Sequence, residues 1–334
     1  MTTRSFERRH SYLRRLVDKR LASLVKGSEP RDLVEGSRYV LRTEGKRIRS
    51  TLVILSCEAV GGRVRDALDA AVALEMLHNF TLVHDDVMDH APSRRGRATV
   101  HTQWGVNNAI LIGDVILGLA YRALLRSKTG DTRRIVQLFT DGFIGVCEGQ
   151  AFDIEYERDS VISMREYYRM IGKKTGELFV TATQVGAVLG NGTRRQSKAL
   201  RVFGQHIGKA FQIQDDLLDV VADAKHLGKR IGGDIIERKK TFLLVEALQR
   251  TRGAENSHLR RLTTQRHKPI RGNDQRSLVE EVAAIYEHCG AVEAALTRIR
   301  AETEAGVRAL QDLPRSNARA MLQWISAMLV QRSH

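Results

Sequence analysis

The chain has 334 residues, 42% of them apolar and 28% charged, with a formal net charge of +15 and a mean hydropathy of −0.29. That balance points to a soluble globular protein, and three scattered cysteines, Cys57, Cys147 and Cys289, supply no disulfide or zinc framework and suit a reducing cytoplasm. The basic excess is spread over residues 4–20, 122–134, 194–201 and 250–276, and with aromatics at 5% no cluster offers a base-stacking platform, so no nucleic-acid partner is expected.

Residues 1–19 are dense in arginine without an apolar run, so no secretory signal is expected there. Apolar stretches such as 52–55 and 109–119 are too short or too interrupted to span a membrane. Peripheral attraction to an anionic membrane surface is the most that the charge allows. Only 4 prolines occur, which favours helix throughout. In residues 67–88, Leu68, Val72, Leu74, Leu77 and Leu82 recur at intervals that centre on three to four residues, the period of a long helix. Similar patterns run through 106–125, 134–152, 164–189, 198–221, 241–250, 277–311 and 317–330. Glycine and proline punctuate 91–98, 190–193 and 224–234, and the polar, basic segment 251–275 reads as a long loop. Alternating period-two stretches are nearly absent, so strands are not expected. The expected fold is one all-α domain over residues 1–334, built of about ten helices.

Two acidic motifs stand at the C-terminal ends of helical runs: Asp85, Asp86 and Asp89, and then Asp215, Asp216 and Asp219. Carboxylates four apart on a helix lie on one face, roughly 6 Å apart, and repel unless a cation sits between them. The helix dipole also disfavours negative charge at that end. Magnesium takes a few carboxylates together with waters and phosphate oxygens, and fits this arrangement. A solvated acidic helix end is the competing reading for either motif alone; two motifs, each followed by a basic loop, weigh against it. Arg94 and Arg95 follow the first, and Lys229, Lys239 and Lys240 follow the second. Lys46, Arg47 and Arg49 form another compact basic group, and Lys173, Lys174 and Thr175 a fourth. Each group alone could be surface decoration. Together they suit diphosphate oxygens, which guanidinium forks grip in pairs.

These strings resemble, in order and spacing, the trans-isoprenyl diphosphate synthases of the polyprenyl synthetase type. The likeness runs over residues 34–330 and rests on segments 44–49, 77–89, 94–96, 149–153, 174–175, 211–219, 228–234 and 239–241. It implies an isoprenoid synthase-like barrel of mostly antiparallel helices around a central cavity, working as a homodimer in the cytoplasm. It implies catalytic roles for Asp85, Asp86, Asp89, Asp215, Asp216, Asp219, Lys174 and Lys229. Asp85, Asp89 and Asp215 would bind magnesium, three ions per site with substrate present, supported by Asp86 and Asp219. Arg94, Lys174, Thr175, Gln212, Lys229 and Lys239 would hold the allylic diphosphate (dimethylallyl, geranyl or farnesyl). Lys46, Arg49, His78 and Arg95 would hold isopentenyl diphosphate. Arg238 stands where the family usually has glycine. His84 and His90 flank the first motif and read as supporting or solvated side chains, and the cysteines have no expected role.

The resemblance also places a ruler for the product on the first-motif helix. Thr81 lies one turn before Asp85, and Phe80 flanks it. Phe80 with the smaller Thr81 resembles enzymes that stop at twenty carbons, so geranylgeranyl diphosphate is expected, with farnesyl diphosphate or a longer polyprenyl product as alternatives. Phe80 as ordinary core packing is the competing reading. A terpene cyclase would lack the second aspartate motif and the Lys46/Arg49 group. A head-to-head synthase has different flanks around its acidic motifs, and a non-catalytic regulatory subunit would have lost acidic residues.

Overall fold

The computed structural model describes residues 2–159, 161–221, 232–264 and 273–330. The described residues are all-α apart from one small hairpin. In chain order the helices are α1 (Thr3–Ala22), α2 (Arg31–Leu41), α3 (Ile48–Ala59), α4 (Val64–Met88), α5 (Val100–Leu124), α6 (Thr132–Glu157), α7 (Met164–Ile171) and α8 (Glu177–Leu189). There follow α9 (Arg194–Val221), α10 (Gly233–Ile236), α11 (Phe242–Arg250), α12 (Gly253–Thr264), α13 (Asn273–His288), α14 (Ala291–Ala309) and α15 (Asn317–Val330). A π-helical turn, Gly172–Gly176, links α7 to α8.

By backbone proximity the chain forms two compact units. The first comprises Met1–Phe143, Leu178–Gly204 and Ala309–Ile325, the second Ile144–Glu177, Gln205–Arg308 and Ser326–His334. In the first, α4 is the central helix and packs on α3, α5 and α1. It is buried on nearly every side, with Ala67, Ala70, Ala71 and Ala73 alternating with Val72, Leu74, Met76 and Leu77, the pattern of a core helix rather than a surface one. Its alanines let neighbours approach closely. At its N-terminus the Asp66 carboxylate accepts from the Arg63 backbone N–H at 3.1 Å, which satisfies an orphan donor. Within the same unit, α8 lies so close to α3 that a Cβ on Gly186 would stand 2.4 Å from the Val53 carbonyl oxygen.

The second unit has a core of Tyr167, Met170 and Ile171 from α7, Ile213 and Leu217 from α9, and Phe242, Leu243 and Leu244 from α11. Packed on these are Leu259 of α12, Val282 and Tyr286 of α13 and Ile299 of α14.

Three local features differ from the sequence reading. Segment 251–275 is not one long loop, because α12 occupies Gly253–Thr264. Its apolar contribution is mainly Leu259, fully buried, with Leu262 beside the core, too sparse to display a period. The stretch 277–311 is broken at Gly290, whose φ of +74° separates α13 from α14. A short antiparallel hairpin also appears, β1 (Ser93–Arg94) paired with β2 (Arg97–Ala98). Its two turn residues, Arg95 and Gly96, have φ of +52° and +73°, the primed turn that matches strand twist.

Candidate active site

The first unit places one acidic motif at the end of its central helix. Asp85 and Asp86 occupy the last turn of α4, and Asp89 is its C-cap, the N–H bonding back to the Asp85 carbonyl at 2.8 Å. The three carboxylates are not equivalent. Asp86 is buried and accepts from Arg94 Nε of the hairpin at 2.7 Å. Burial raises its pKa, and the Arg94 guanidinium only partly offsets this. Asp85 is half-buried and Asp89 exposed.

The basic groups in this unit gather along α4. Arg49 Nη1 lies 3.2 Å from His78 Nε2, and its guanidinium stacks 5.1 Å from the Phe179 ring. Arg95 Nη1 donates to the Glu44 carbonyl at 3.1 Å, which ties the hairpin to the segment carrying Lys46. Lys46 itself is exposed. The pKa of His78 is pushed well down by burial and by the surrounding Arg49, Arg95, Arg94 and Arg47 guanidiniums. A neutral ring with its Nε2 lone pair toward Arg49 follows.

One turn before the motif, Phe80 is 7% exposed and packs against His84 (centroids 4.5 Å) and edge-on to Phe143 (5.6 Å). The Thr81 hydroxyl donates back to the His78 carbonyl at 2.8 Å. His84 packs on α5, 3.2 Å from the Ile110 carbonyl, and a Cβ on Gly113 would collide with it at 2.3 Å. His90 is exposed just beyond α4.

In the second unit the middle carboxylate is again buried, and here the third, Asp219, is buried as well. Asp215 on α9 is exposed, whereas Asp216 is buried. The Asp216 carboxylate accepts from the Tyr167 hydroxyl (2.7 Å), the Phe242 backbone N–H (2.8 Å) and Gln212 Nε2 (2.8 Å). Desolvation outweighs these three donors and raises its pKa to about 6. Asp219 accepts from the Asp234 backbone N–H at 2.9 Å and ties α9 to α10. Thr175 Oγ1 donates to Gln212 Oε1 at 2.5 Å, so the π-helical turn, Gln212 and Asp216 form one hydrogen-bonded chain. Single π-turns of this kind recur at functional sites.

Lys174 on that turn pairs with Asp153 Oδ2 at 2.6 Å, and Lys173 pairs with Glu148. Lys239 pairs with Glu157 at 2.9 Å and stands 3.8 Å from Asp153. Lys240 is buried, and Arg238 adopts φ +59°, the left-handed backbone that favours glycine. Lys229 lies outside the described residues.

Asp153 carries no expected role in the sequence reading, although segment 149–153 contributes to the resemblance. Its place one helical turn after Gly149 was the available signal. A Cβ on Gly149 would stand 2.1 Å from the Lys174 backbone nitrogen, so α6 and the lysine turn approach as only glycine permits. Among the described residues no three His, Cys, Asp or Glu side chains gather into a ready-made metal cage. Half-buried Asp85 and exposed Asp89 in the first unit, and separately exposed Asp215 in the second, are hard oxygen donors of the kind magnesium takes.

Comparison with known proteins adds to this geometry. The sequence profile of the family described as polyprenyl synthetase matches residues 30–282. A short chain isoprenyl diphosphate synthase of Methanothermobacter thermautotrophicus is 38% identical over 324 residues, 96% of each chain. A geranylgeranyl pyrophosphate synthase of Geoglobus acetivorans is 35% identical, over 96% of this chain and 97% of its own. The crystal structure of a geranylgeranyl pyrophosphate synthetase from Pyrococcus horikoshii superposes with a TM-score of 0.91 at 35% identity, over 98% of this chain and 100% of that one.

Proposed function

The chain belongs to the polyprenyl synthetase family, and on that premise we propose that it joins isopentenyl diphosphate head-to-tail to an allylic diphosphate, ending at geranylgeranyl diphosphate. The observation that carries this is the matched treatment of the two aspartate motifs. In each, the second carboxylate is buried and bonded to protein, Asp86 to Arg94 and Asp216 to Tyr167, Gln212 and Phe242. Asp85 beside Asp86 is half-buried, and Asp89 and Asp215 are exposed. A purely structural acidic cluster has no reason to repeat that pattern twice. Full-length likeness to short-chain and geranylgeranyl synthases supports the substrate class and the twenty-carbon product.

Asp85, Asp89 and Asp215 would hold magnesium, which neutralises charge on the allylic diphosphate as a Lewis acid. Lys174, Thr175, Gln212, Lys239 and Arg94 bind the same diphosphate and stabilise it as the allylic carbon–oxygen bond breaks. Lys46, Arg49, His78 and Arg95 hold isopentenyl diphosphate so that its double bond attacks the allylic cation. A proton is then lost to the departed diphosphate, giving an allylic diphosphate five carbons longer. Every protein contribution here is electrostatic or positional. No side-chain nucleophile is needed.

A homodimer is the working unit in this reading. α5 has Ala109, Ile112, Ile116 and Ala120 buried in its own unit, yet Val106, Ile110 and Leu111 are 49%, 41% and 54% exposed. α5 is also long and apolar enough to cross a membrane by length and composition. Its kink at Gly105 and its buried face favour a second copy of the chain as the cover. Cytoplasmic location follows from the same reading.

Incubation of the purified protein with magnesium, isopentenyl diphosphate and each of the dimethylallyl, geranyl and farnesyl primers, followed by product sizing, tests this directly. A twenty-carbon product that disappears on chelation is expected. No isopentenyl-dependent product from any primer would overturn it.

A further inference from the structure

Arg47 sits between Lys46 and Arg49 in sequence, yet it points elsewhere. It is buried, and its guanidinium is spent on three separate partners: Nε donates to Asp18 of α1 at 2.7 Å, Nη1 to Glu75 of α4 at 2.9 Å, and Nη2 to the Thr43 carbonyl beyond α2 at 2.8 Å. The other Glu75 oxygen accepts from Ser50 Oγ of α3 at 2.5 Å. One buried ion pair therefore joins three helices, α1, α3 and α4, and the segment that follows α2. A buried pair of this kind contributes little net stability, but removing one partner strands a charge in the core.

The backbone at Arg47 is equally constrained. Its φ of +50° and ψ of +37° are left-handed, a conformation that costs energy for any residue with a Cβ and persists only when its surroundings over-determine it. Its carbonyl accepts from Thr51 N–H at 3.0 Å and opens α3. Lys46 and Arg49 are thus held on either side of a pinned, strained residue. Gly45 lies against both arginines, since a Cβ there would be 3.3 Å from Arg95 Nη1 and 3.4 Å from Arg47 Nη1. On α4, Glu75 and His78 are three apart and receive Arg47 and Arg49 respectively, so the Arg47–Glu75 pair sets the register in which Arg49 meets His78.

We propose that Arg47 is a positioning residue for isopentenyl diphosphate: turned away from the substrate, it fixes the backbone from which Lys46 and Arg49 reach the diphosphate. The inference rests on the reading of Lys46, Arg49, His78 and Arg95 as that clamp.

Steady-state kinetics of Arg47→Ala and Arg47→Lys, with Arg49→Ala alongside, test it. Small misplacements of binding groups are costly, so Arg47→Ala is expected to raise KM for isopentenyl diphosphate about 10- to 100-fold. KM for the allylic primer should stay within about twofold, because its ligands are other residues. Arg47→Lys should recover part of the loss, since it keeps the charge against Glu75 but not the three-way fork. Should Arg47→Ala fail to fold, Glu75→Gln keeps the volume and the acceptor, and its KM ratio should move in the same direction. Equal rises in both KM values, or a lower active fraction with both unchanged, would overturn the proposal and leave Arg47 as core packing. If Arg49→Ala leaves KM for isopentenyl diphosphate unchanged, the clamp reading itself is wrong, which is a separate outcome.

Discussion

Asp153 of α6 accepts a hydrogen bond from Lys174 at 2.6 Å while standing 3.8 Å from the Lys239 ammonium. One buried carboxylate therefore shares its charge between two cations that the family pattern gives to the allylic diphosphate. Two ammonium groups this close repel each other, and the fixed counter-charge between them holds both in place. Charge-assisted bonds of this length are among the stronger ones.

Asp153→Asn removes that counter-charge and keeps the size. Inorganic pyrophosphate should then inhibit at several-fold lower concentration, because the lysines present more net positive charge. The catalytic constant should fall at least about tenfold, as Lys174 loses the partner that orients it. Unchanged pyrophosphate inhibition would show that the lysines are neutralised by something else.

Gly149 tests the same region through backbone contact. Gly149→Ala would push a methyl group against the Lys174 backbone nitrogen and the Lys173 carbonyl carbon, atoms that cannot swing aside as a side chain would. Overpacking of this kind costs about 1–3 kcal/mol. The expected outcome is a lower Tm with activity lost beyond the fraction unfolded, since the lysine turn itself must move. A variant as stable and active as the parent would mean that α6 shifts freely.

Much of this was readable before the structure, and the exceptions have physical causes. The long helices follow from apolar period alone, and the two acidic motifs stand where that period ends, so α4 and α9 and their carboxylates were visible together. Helix α12 was not, because one buried leucine in twelve residues leaves no period to detect. The hairpin was missed because two residues per strand cannot alternate. Within the basic segment 45–49 the sequence shows three cations but not their directions. Arg47 and Arg49 are only two apart, and only packing against Glu75 and His78 separates a buried tie from a candidate ligand. The same holds within each aspartate motif, where neighbouring residues divide into buried and accessible carboxylates.

His78 gives the site a pH dependence. Its folded pKa lies well below the ordinary 6.5, chiefly because the ring is buried and then because four arginines surround it. The unfolded chain protonates this histidine near pH 6.5 while the folded protein does not, so the unfolded state binds more protons and stability falls as pH drops below that value. Above pH 7 the two states agree and the effect vanishes. His78→Gln, which retains an acceptor for Arg49, should flatten the decline in Tm between pH 7 and pH 5. An identical slope in parent and variant would mean that His78 titrates normally.

Phe80 either stops the product or merely fills the core, and the two readings diverge in experiment. Its ring is packed between His84, one turn on, and Phe143, in edge-to-face contact. Thr81, beside it, is nearly buried, with its hydroxyl turned back onto the helix. If these residues end the path of the growing chain, Phe80→Ala opens length and Thr81→Phe removes it. The first should shift the main product from twenty carbons to twenty-five or more, and the second should shorten it to fifteen. Loss of a buried phenyl ring costs about 3–5 kcal/mol, so product length must be read on folded protein, and Phe80→Leu provides a milder version with the same direction. Phe143→Ala should act like Phe80→Ala but more weakly, because it removes the ring that braces Phe80 rather than Phe80 itself. A product distribution unchanged in Phe80→Ala and Phe80→Leu, with stability lowered as expected, would assign Phe80 to packing alone. The end of the path would then have to lie further along α4, where Leu77, Met76, Leu74 and Ala73 follow.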